Sequence, residues 1–149
     1  MDVLIRKGRE SDLARLRELI VELAVFENEP DAVRVSLESM KTDGFGPQSI
    51  FEFLVAELNG NIVGAAVYYY RYSTWKGKRL YLEDLIVSSE HRRKGIGKKL
   101  FEQTMMVAKS TACTGLMWQV LDWNESAIAF YKTYHAAFDD QWLNCNVDF

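Results

Sequence analysis

The spacing of apolar residues in the first fifty positions predicts one strand and two helices. Residues 3–6 (VLIR) form a short apolar run typical of a strand. Over residues 10–29 leucine and isoleucine recur at intervals of three and four, which predicts an amphipathic helix with Ser11 as its N-cap and Pro30 beyond its end. Residues 36–42 predict a second short helix, closed by the turn-rich sequence DGFG.

The middle of the chain predicts three consecutive strands. FEFLVAEL (51–58) and IVGAAVYYYRY (62–72) flank the sequence NGN, which is a strong hairpin signal because Asn and Gly accept positive φ angles. The loop STWKGK then leads into RLYLEDLIV (79–87), the third of these strands. Strands that follow one another this closely indicate an antiparallel meander.

Helical and strand-like spacing alternate in the rest of the chain. The segment SSEHRRKGIGKKL (88–100) is a turn that opens a helix. The apolar face of this helix consists of Ile96, Leu100, Phe101, Thr104 and Met105. GLMWQV (115–120) predicts a strand, NESAIAFYKTY (124–134) a helix with Asn124 as N-cap, and WLNCNVDF (142–149) a last strand. The order β-α-α-β-β-β-α-β-α-β indicates a mixed-sheet α/β or α+β fold.

Composition and charge exclude several classes of protein. With 149 residues, 48% hydrophobic and 26% charged, the chain suits one globular domain over residues 1–149. A net charge of −3 argues against a general nucleic-acid binder. No stretch approaches the roughly 18 apolar residues of a membrane span, and the amino terminus lacks a signal-peptide core, so we expect a cytoplasmic protein. Cys113 and Cys145 show no ligand spacing, so we expect reduced thiols and no metal site.

The turn before the third predicted helix combines positive charge with glycine. Arg92, Arg93 and Lys94 precede Gly95 and Gly97. Glycine lets the backbone approach a ligand closely, and the unpaired N–H groups at a helix start attract an anion, phosphate above all. The sequence fits neither the Walker A loop nor the dinucleotide fingerprint, whose third glycine is missing. The spacing alone leaves a phosphate site and a purely structural turn equally open.

Two motifs in this part of the chain resemble a known superfamily. Arg92-x-x-Gly95-x-Gly97 after YLEDLIV resembles the acetyl-CoA signature of the GNAT N-acetyltransferases, and NESAIAFY (124–131) resembles their Asn-x-x-Ala-x-x-Phe-Tyr helix. ELAVFE, DGFG, LVAE, YLED and WNESAIAFYK are together similar to the diamine (spermidine/spermine-type) N-acetyltransferases. The resemblance implies a mostly antiparallel mixed sheet flanked by helices, splayed fourth and fifth strands, and acetyl-CoA as acetyl donor without a metal.

The resemblance also implies which residues bind the cofactor. The strand backbone before the turn would pair with the pantetheine arm, and the turn would wrap the pyrophosphate. The implied cofactor residues are Leu85, Ile86, Val87, Arg92, Arg93, Lys94, Gly95, Ile96, Gly97, Lys98, Asn124, Ser126, Ala127 and Tyr131. In this family the matching tyrosine protonates the departing thiolate, so Tyr131 is the expected general acid. Without the motif, a core tyrosine would be the better interpretation.

The acceptor requires acidic residues, because an alkylamine has a pKa of about 10 and arrives protonated. The resemblance implies that Glu83 takes its proton, directly or through water. The implied acceptor-binding residues are Glu27, Trp75, Glu83, Asp84 and Asp140, of which Asp140 matches only across an alignment gap. Glu83 and Asp84 are neighbours on one predicted strand, so they should face opposite ways unless a bulge intervenes.

The expected function is transfer of acetyl from acetyl-CoA to a primary amine of a polyamine, diamine or thialysine-like amino acid. Because no cysteine lies in the motifs, we expect direct attack in a ternary complex. Alternatives are acetylation of a protein or peptide amine, and a non-catalytic CoA-binding module. The resemblance further implies a homodimer. His135 departs from the family, which usually has glycine after the catalytic helix.

Overall fold

The computed structural model describes residues 2–149, in two compact units that meet in sequence at Trp118 and Gln119. The first unit contains all the strands of these residues and three α-helices. In chain order its elements are β1 (Val3–Lys7), α1 (Leu13–Phe26), α2 (Leu37–Phe45), β2 (Glu52–Leu58), β3 (Asn61–Ser73), β4 (Gly77–Val87), α3 (Ile96–Ser110) and β5 (Leu116–Trp118). The second unit contains α4 (Glu125–Lys132). Short 3-10 turns precede α1 at Glu10–Asp12 and α3 at Ser89–His91.

The sheet has the strand order β1-β2-β3-β4-β5. Its first four strands are antiparallel, and β5 runs parallel to β4. Only Leu80–Leu82 of β4 pairs with β5, at Leu116–Trp118, whereas β4 continues along β3 as far as Val87. The mixed, mostly antiparallel sheet is therefore confirmed, and β4 outruns β5 at its carboxyl end.

Helices cover the two faces of this sheet. Leu13, Leu16 and Leu19 of α1 are fully buried against Val55 and Val67, which lie on one face. Helix α3 covers the other face through a second set of buried residues. These are Ile96, Leu100, Phe101, Thr104 and Ala108, while the predicted Met105 is only half-buried. Helix spacing therefore identified four of the five core positions of α3.

One hairpin turn and one helix cap form as their residues predict. Asn59 and Gly60 both have positive φ angles, 52° and 80°, which matches the twist of a tight hairpin and confirms the turn between β2 and β3. Asn124 caps α4, since its side-chain oxygen accepts a hydrogen bond from the Ala127 N–H at 3.3 Å.

The start of α1 differs from its prediction. Ser11 does not cap the helix, because it lies inside the 3-10 turn that precedes Leu13. The carboxylate of Asp12 instead accepts hydrogen bonds from the Arg6 guanidinium at 2.8 and 3.1 Å and from the Arg9 N–H at 2.8 Å. The Arg6 hydrogen bond lowers the pKa of Asp12. This interaction with β1 fixes where α1 begins, and helix spacing could not show it.

The predicted strand at 142–149 is wrong, because these residues form neither strand nor helix. Their alternating pattern is real, yet a strand also needs a neighbour for its backbone hydrogen bonds. Leu143 and Val147 are 87% and 82% exposed. Helix α4 also ends two residues earlier than predicted, at Lys132. None of the helices in residues 2–149 has the length and apolar character needed to cross a membrane.

Candidate active site

The turn between β4 and α3 opens with a fixed backbone. The Ser88 N–H donates to Val63 O at 2.8 Å, and the Ser88 hydroxyl lies 2.8 Å from His91 Nδ1. Gly95 then adopts a left-handed conformation with φ +78°, which suits glycine above other residues. The first helical hydrogen bond of α3 runs from the Lys99 N–H to Gly95 O at 3.1 Å. The N–H groups of residues 96–98 precede that bond, so they form the helix start at which an anion can bind.

Positive charge surrounds this helix start. Arg92, Arg93, Lys94 and Lys98 all expose their side chains. Together with the helix dipole they make the turn suited to a pyrophosphate. Arg92 also has protein partners: its Nε donates to Val87 O at 3.2 Å, and its guanidinium lies 4.9 Å from the centre of the Phe26 ring.

The end of β4 that leads into the turn has one paired and one open edge. Leu85, Ile86 and Val87 lie opposite residues 64–66 of β3, and Ile86 is buried in the core. In the part of the chain that the structure describes, β5 does not extend alongside these three residues. The open edge can hydrogen-bond an extended ligand, as an additional strand would.

A β-bulge in β4 brings two neighbouring carboxylates to the same face of the sheet. Val67 lies opposite Asp84 and Tyr68 lies opposite Leu82, which leaves Glu83 as an extra residue in β4. Glu83 accepts a hydrogen bond from the Tyr69 hydroxyl at 3.1 Å, on the face that α1 covers. The prediction that the two acids face opposite ways holds for a regular strand, and the bulge is the exception that the sequence could not exclude.

Glu27 joins these acids from the end of α1. Burial, together with the negative charges of Glu83 and Glu27, raises the pKa of Asp84 to about 7. Burial also raises the pKa of Glu27. Within residues 2–149, no salt bridge joins any of the three acids to a lysine or arginine. We call Glu27, Glu83 and Asp84 the acidic cluster; it carries negative charge that a cationic ligand would offset.

Aromatic side chains border the acidic cluster. The rings of Tyr69 and Tyr81 are 5.3 Å apart, and the Arg71 guanidinium lies 5.7 Å from the centre of the Tyr81 ring. Burial, together with the nearby Glu83 charge, raises the pKa of Tyr69 to about 12, so its hydroxyl remains a hydrogen-bond donor near neutral pH. Trp75 lies outside this group, in the loop between β3 and β4, and is 87% exposed.

The remaining predicted site residues lie in the second unit. Asn124 caps α4, Ser126 is exposed and Ala127 is half-buried. Tyr131 is buried, and its ring lies 5.3 Å from that of Phe130. Asp140 is exposed in the segment after α4.

Next to the acidic cluster, sequence reasoning missed Phe26, and it offered the tyrosines at 68–70 as walls of the amine channel without distinguishing Tyr69 among them. Tyr69 stands in a run of three tyrosines, and only the register against Tyr81 shows which of them faces α1. Phe26 follows Val25 on the last turn of α1, and its contact with Arg92 is long-range in sequence. In residues 2–149, no group of three or more His, Cys, Asp or Glu side chains is suited to hold a metal ion.

Most of the chain is similar to known acetyltransferases. The family model for the acetyltransferase (GNAT) family matches residues 13–135. A thialysine N-epsilon-acetyltransferase from Bos taurus is 40% identical over 142 residues, covering 90% of this chain and 84% of that protein. The spermidine/spermine N(1)-acetyltransferase-like protein 1 from Homo sapiens is 35% identical over 136 residues, which is 87% of this chain and 20% of that protein. A solved aminoglycoside acetyltransferase from an uncultured soil metagenomic sample has the same fold, with a TM-score of 0.79 at 22% identity over 99% of this chain and 96% of the other.

Proposed function

Because the chain belongs to the acetyltransferase (GNAT) family, we propose that its acidic cluster binds the ammonium group of the amine that the enzyme acetylates. The chain is an acetyl-CoA-dependent N-acetyltransferase of small cationic amines, and its resemblance to the diamine family is confirmed. One observation carries the proposal: Glu27, Glu83 and Asp84 are gathered without a salt-bridged cation among the described residues. Bound ammonium would offset the repulsion that raises the pKa of Asp84.

The cofactor occupies the turn and the open edge of β4 in this proposal. The pyrophosphate binds the N–H groups at the start of α3, with Gly95 leaving room for its approach. The pantetheine arm lies along Leu85–Val87, where the second edge of β4 lacks a β5 partner in residues 2–149. Asn124, Ser126 and Ala127 remain predicted cofactor residues on the strength of the family motif alone.

The acetyl transfer needs one base and one acid. Glu83 takes a proton from the ammonium, directly or through water, and the neutral amine then attacks the thioester carbonyl. The new C–N bond forms as the C–S bond breaks, the nitrogen releases its second proton to water to give the amide, and the CoA thiolate leaves. Tyr131 gives the thiolate its proton, a role that rests on its place in NESAIAFY. Cys113 follows the carboxyl end of α3, at the far end of that helix from Gly95, and Cys145 lies outside both motifs, so the proposal takes direct attack rather than an acyl-cysteine intermediate.

The acceptor in this proposal is a primary amine at the end of a short aliphatic chain. The names of the relatives, thialysine and spermidine/spermine acetyltransferases, support a side-chain amine or a polyamine. Trp75 and Asp140 remain predicted acceptor residues that rest on the resemblance. A homodimer, a cytoplasmic location and a single domain over residues 1–149 likewise remain predictions.

The test measures release of CoA thiol from acetyl-CoA with spermidine, spermine, putrescine, thialysine, lysine and a lysine peptide. We expect turnover with at least one small amine and a KM for that amine about tenfold higher in Glu27→Gln and in Glu83→Gln, from the loss of a charged contact. Tyr131→Phe should lower kcat by at least about tenfold.

Glu18→Gln is the matched control, because Glu18 is also on α1 and is paired with Arg15 on the surface. It should leave every parameter unchanged. Cluster variants that bind and acetylate all the small amines as the wild type does would contradict the proposed acceptor site. Turnover of the lysine peptide alone would favour acetylation of a protein or peptide amine.

A further inference from the structure

Two contacts tie the carboxyl-terminal half of α1 to the turn between β4 and α3, which binds the pyrophosphate in the proposed function. A carboxylate oxygen of Glu22 accepts a hydrogen bond from the Ser89 N–H at 2.6 Å. One turn of helix later, the Arg92 guanidinium lies over the Phe26 ring at 4.9 Å. The Arg92 side chain is itself directed by the hydrogen bond from its Nε to Val87 O. The turn therefore holds α1 at its end, immediately before Glu27.

The backbone at Glu27 is fixed relative to Phe26, because hydrogen bonds close the helix at this point. The Glu27 N–H donates to Leu23 O at 2.9 Å, which keeps it on the last turn of the helix. Asn28 follows in the left-handed conformation at φ 63°, and the Glu29 N–H returns to Ala24 O at 2.8 Å. This closure leaves little freedom between the ring of Phe26 and the carboxylate of Glu27.

From these contacts we infer that Phe26 and Arg92 position Glu27 in the acceptor site. The inference rests on the proposed function, in which Glu27 binds the amine. Phe26 does not touch the acceptor; it fixes the end of α1 against the turn. Arg92 therefore contributes to both sites: its charge favours the pyrophosphate, and its contact with Phe26 positions the acid that binds the amine.

The test compares substitutions at Phe26 in steady-state kinetics. Phe26→Leu keeps an apolar side chain but removes the ring, and we expect the KM for the amine to rise about threefold, the size of one partly exposed cation–π contact. The KM for acetyl-CoA, kcat and the melting temperature should stay near wild type. Phe26→Tyr keeps the ring and should restore the wild-type amine KM. Val25→Ala changes the neighbouring residue, which is 55% exposed, and should have no effect.

A double substitution separates this inference from the function on which it rests. In a Glu27→Gln background, Phe26→Leu should add nothing to the amine KM, because the group that Phe26 positions has lost its charge. Multiplying effects, or an unchanged amine KM in Phe26→Leu while Glu27→Gln raises it, would overturn the inference alone. An unchanged amine KM in Glu27→Gln would overturn the proposed acceptor site, and the inference with it.

Discussion

Tyr69 donates its hydroxyl hydrogen to Glu83 over 3.1 Å, between neighbouring strands of the sheet. The bond exists because the bulge in β4 turns Glu83 to the face on which Tyr69 lies, beside Asp84. Two adjacent carboxylates on one face repel each other, which is an arrangement that folding alone would not favour. This repulsion therefore costs stability at the position where the proposed function places the ammonium ion.

The hydroxyl of Tyr69 should matter for acceptor kinetics. In Tyr69→Phe the ring and its packing on Tyr81 remain, but Glu83 loses its hydrogen-bond donor and is less well oriented. We expect kcat/KM for the amine to fall about tenfold, as for loss of a hydrogen bond to a charged group. Tyr70→Phe is the matched control, since Tyr70 faces the other side of the sheet and holds Lys78 over its ring at 4.8 Å. Equal losses in the two variants would contradict a specific role for Tyr69.

Asp84 should make stability depend on pH. The pKa of this carboxyl is raised from 3.8 to about 7 in the folded protein, so between these values the folded state holds a proton that the unfolded state has released. The free energy of unfolding therefore falls as the pH rises from about 4 to about 7, by on the order of 3 kcal/mol. Below the lower value both states are protonated, and the contribution of Asp84 is then constant.

Asp84→Asn removes this titration, so the variant should be more stable than the wild type at pH 8 and close to it at pH 4. Urea unfolding at both pH values measures the difference. The exposed Asp31→Asn should leave the pH dependence unchanged. Asp84→Asn should also weaken amine binding at pH 8, because the ionised carboxylate of Asp84 is the form that attracts an ammonium ion. A stability gain that is equal at both pH values would refute the titration of Asp84.

Ala112 is a site where glycine should stabilise the protein. It follows α3 with φ 61°, and the Cys113 N–H donates to Ala108 O at 2.9 Å, so Ala112 occupies the left-handed position that closes a helix. A Cβ costs about 1–2 kcal/mol in this conformation, whereas the added freedom of glycine in the unfolded chain costs about 0.4–1 kcal/mol. We expect Ala112→Gly to raise the melting temperature by about 2 °C.

Ala14→Gly provides the opposite control for that measurement. Ala14 is exposed within α1. Glycine there should lower stability by about 1 kcal/mol because the helix interior disfavours it. If both substitutions destabilise the protein, relief of the strain at Ala112 does not outweigh the entropy cost of glycine, and the prediction is wrong.

The features of the fold that the sequence predicted correctly are those set by residues close together in the chain. The hairpin at Asn59 and Gly60 and the cap at Asn124 depend on residues close in sequence, and both were predicted correctly. The strand at 142–149 failed because alternation describes a face without supplying a pairing partner. Ser11 failed as a cap because Arg6, on a separate strand, bonds to Asp12 instead.

The candidate site shows the same division. The glycine turn was evident because its residues are contiguous and their chemistry is local. The acidic cluster could be proposed only from a family motif, since Glu27 is 56 residues from Glu83 and nothing in strand periodicity indicates the bulge. Phe26 was missed, and Tyr69 was not distinguished from the tyrosines beside it, because their partners, Arg92 and Glu83, lie on other elements.

Substitution of Gly95 tests most directly whether the turn between β4 and α3 binds the pyrophosphate. Gly95 has φ +78° and Gly60 has φ +80°, and a Cβ built on either would meet nothing within 4 Å. Gly95→Ala and Gly60→Ala should therefore lose a similar amount of stability, about 1 kcal/mol, because the backbone strain exceeds the entropy that alanine removes from the unfolded chain. Only Gly95→Ala should also raise the KM for acetyl-CoA, by about tenfold or more, because its Cβ projects where the pyrophosphate would approach the helix start.

Gly97→Ala extends this comparison without backbone strain. Its Cβ would lie 3.6 Å from the nearest atom, a side-chain carbon of Val87, which is an ordinary contact. The melting temperature should therefore rise by about 2–4 °C, because alanine suits a helix better than glycine, and any rise in the acetyl-CoA KM would come from the ligand rather than from a loss of stability. Thermal unfolding and acetyl-CoA kinetics on all three variants separate the two effects. If Gly60→Ala raised the acetyl-CoA KM as much as Gly95→Ala, the loss would reflect general strain and the turn would not be the pyrophosphate site.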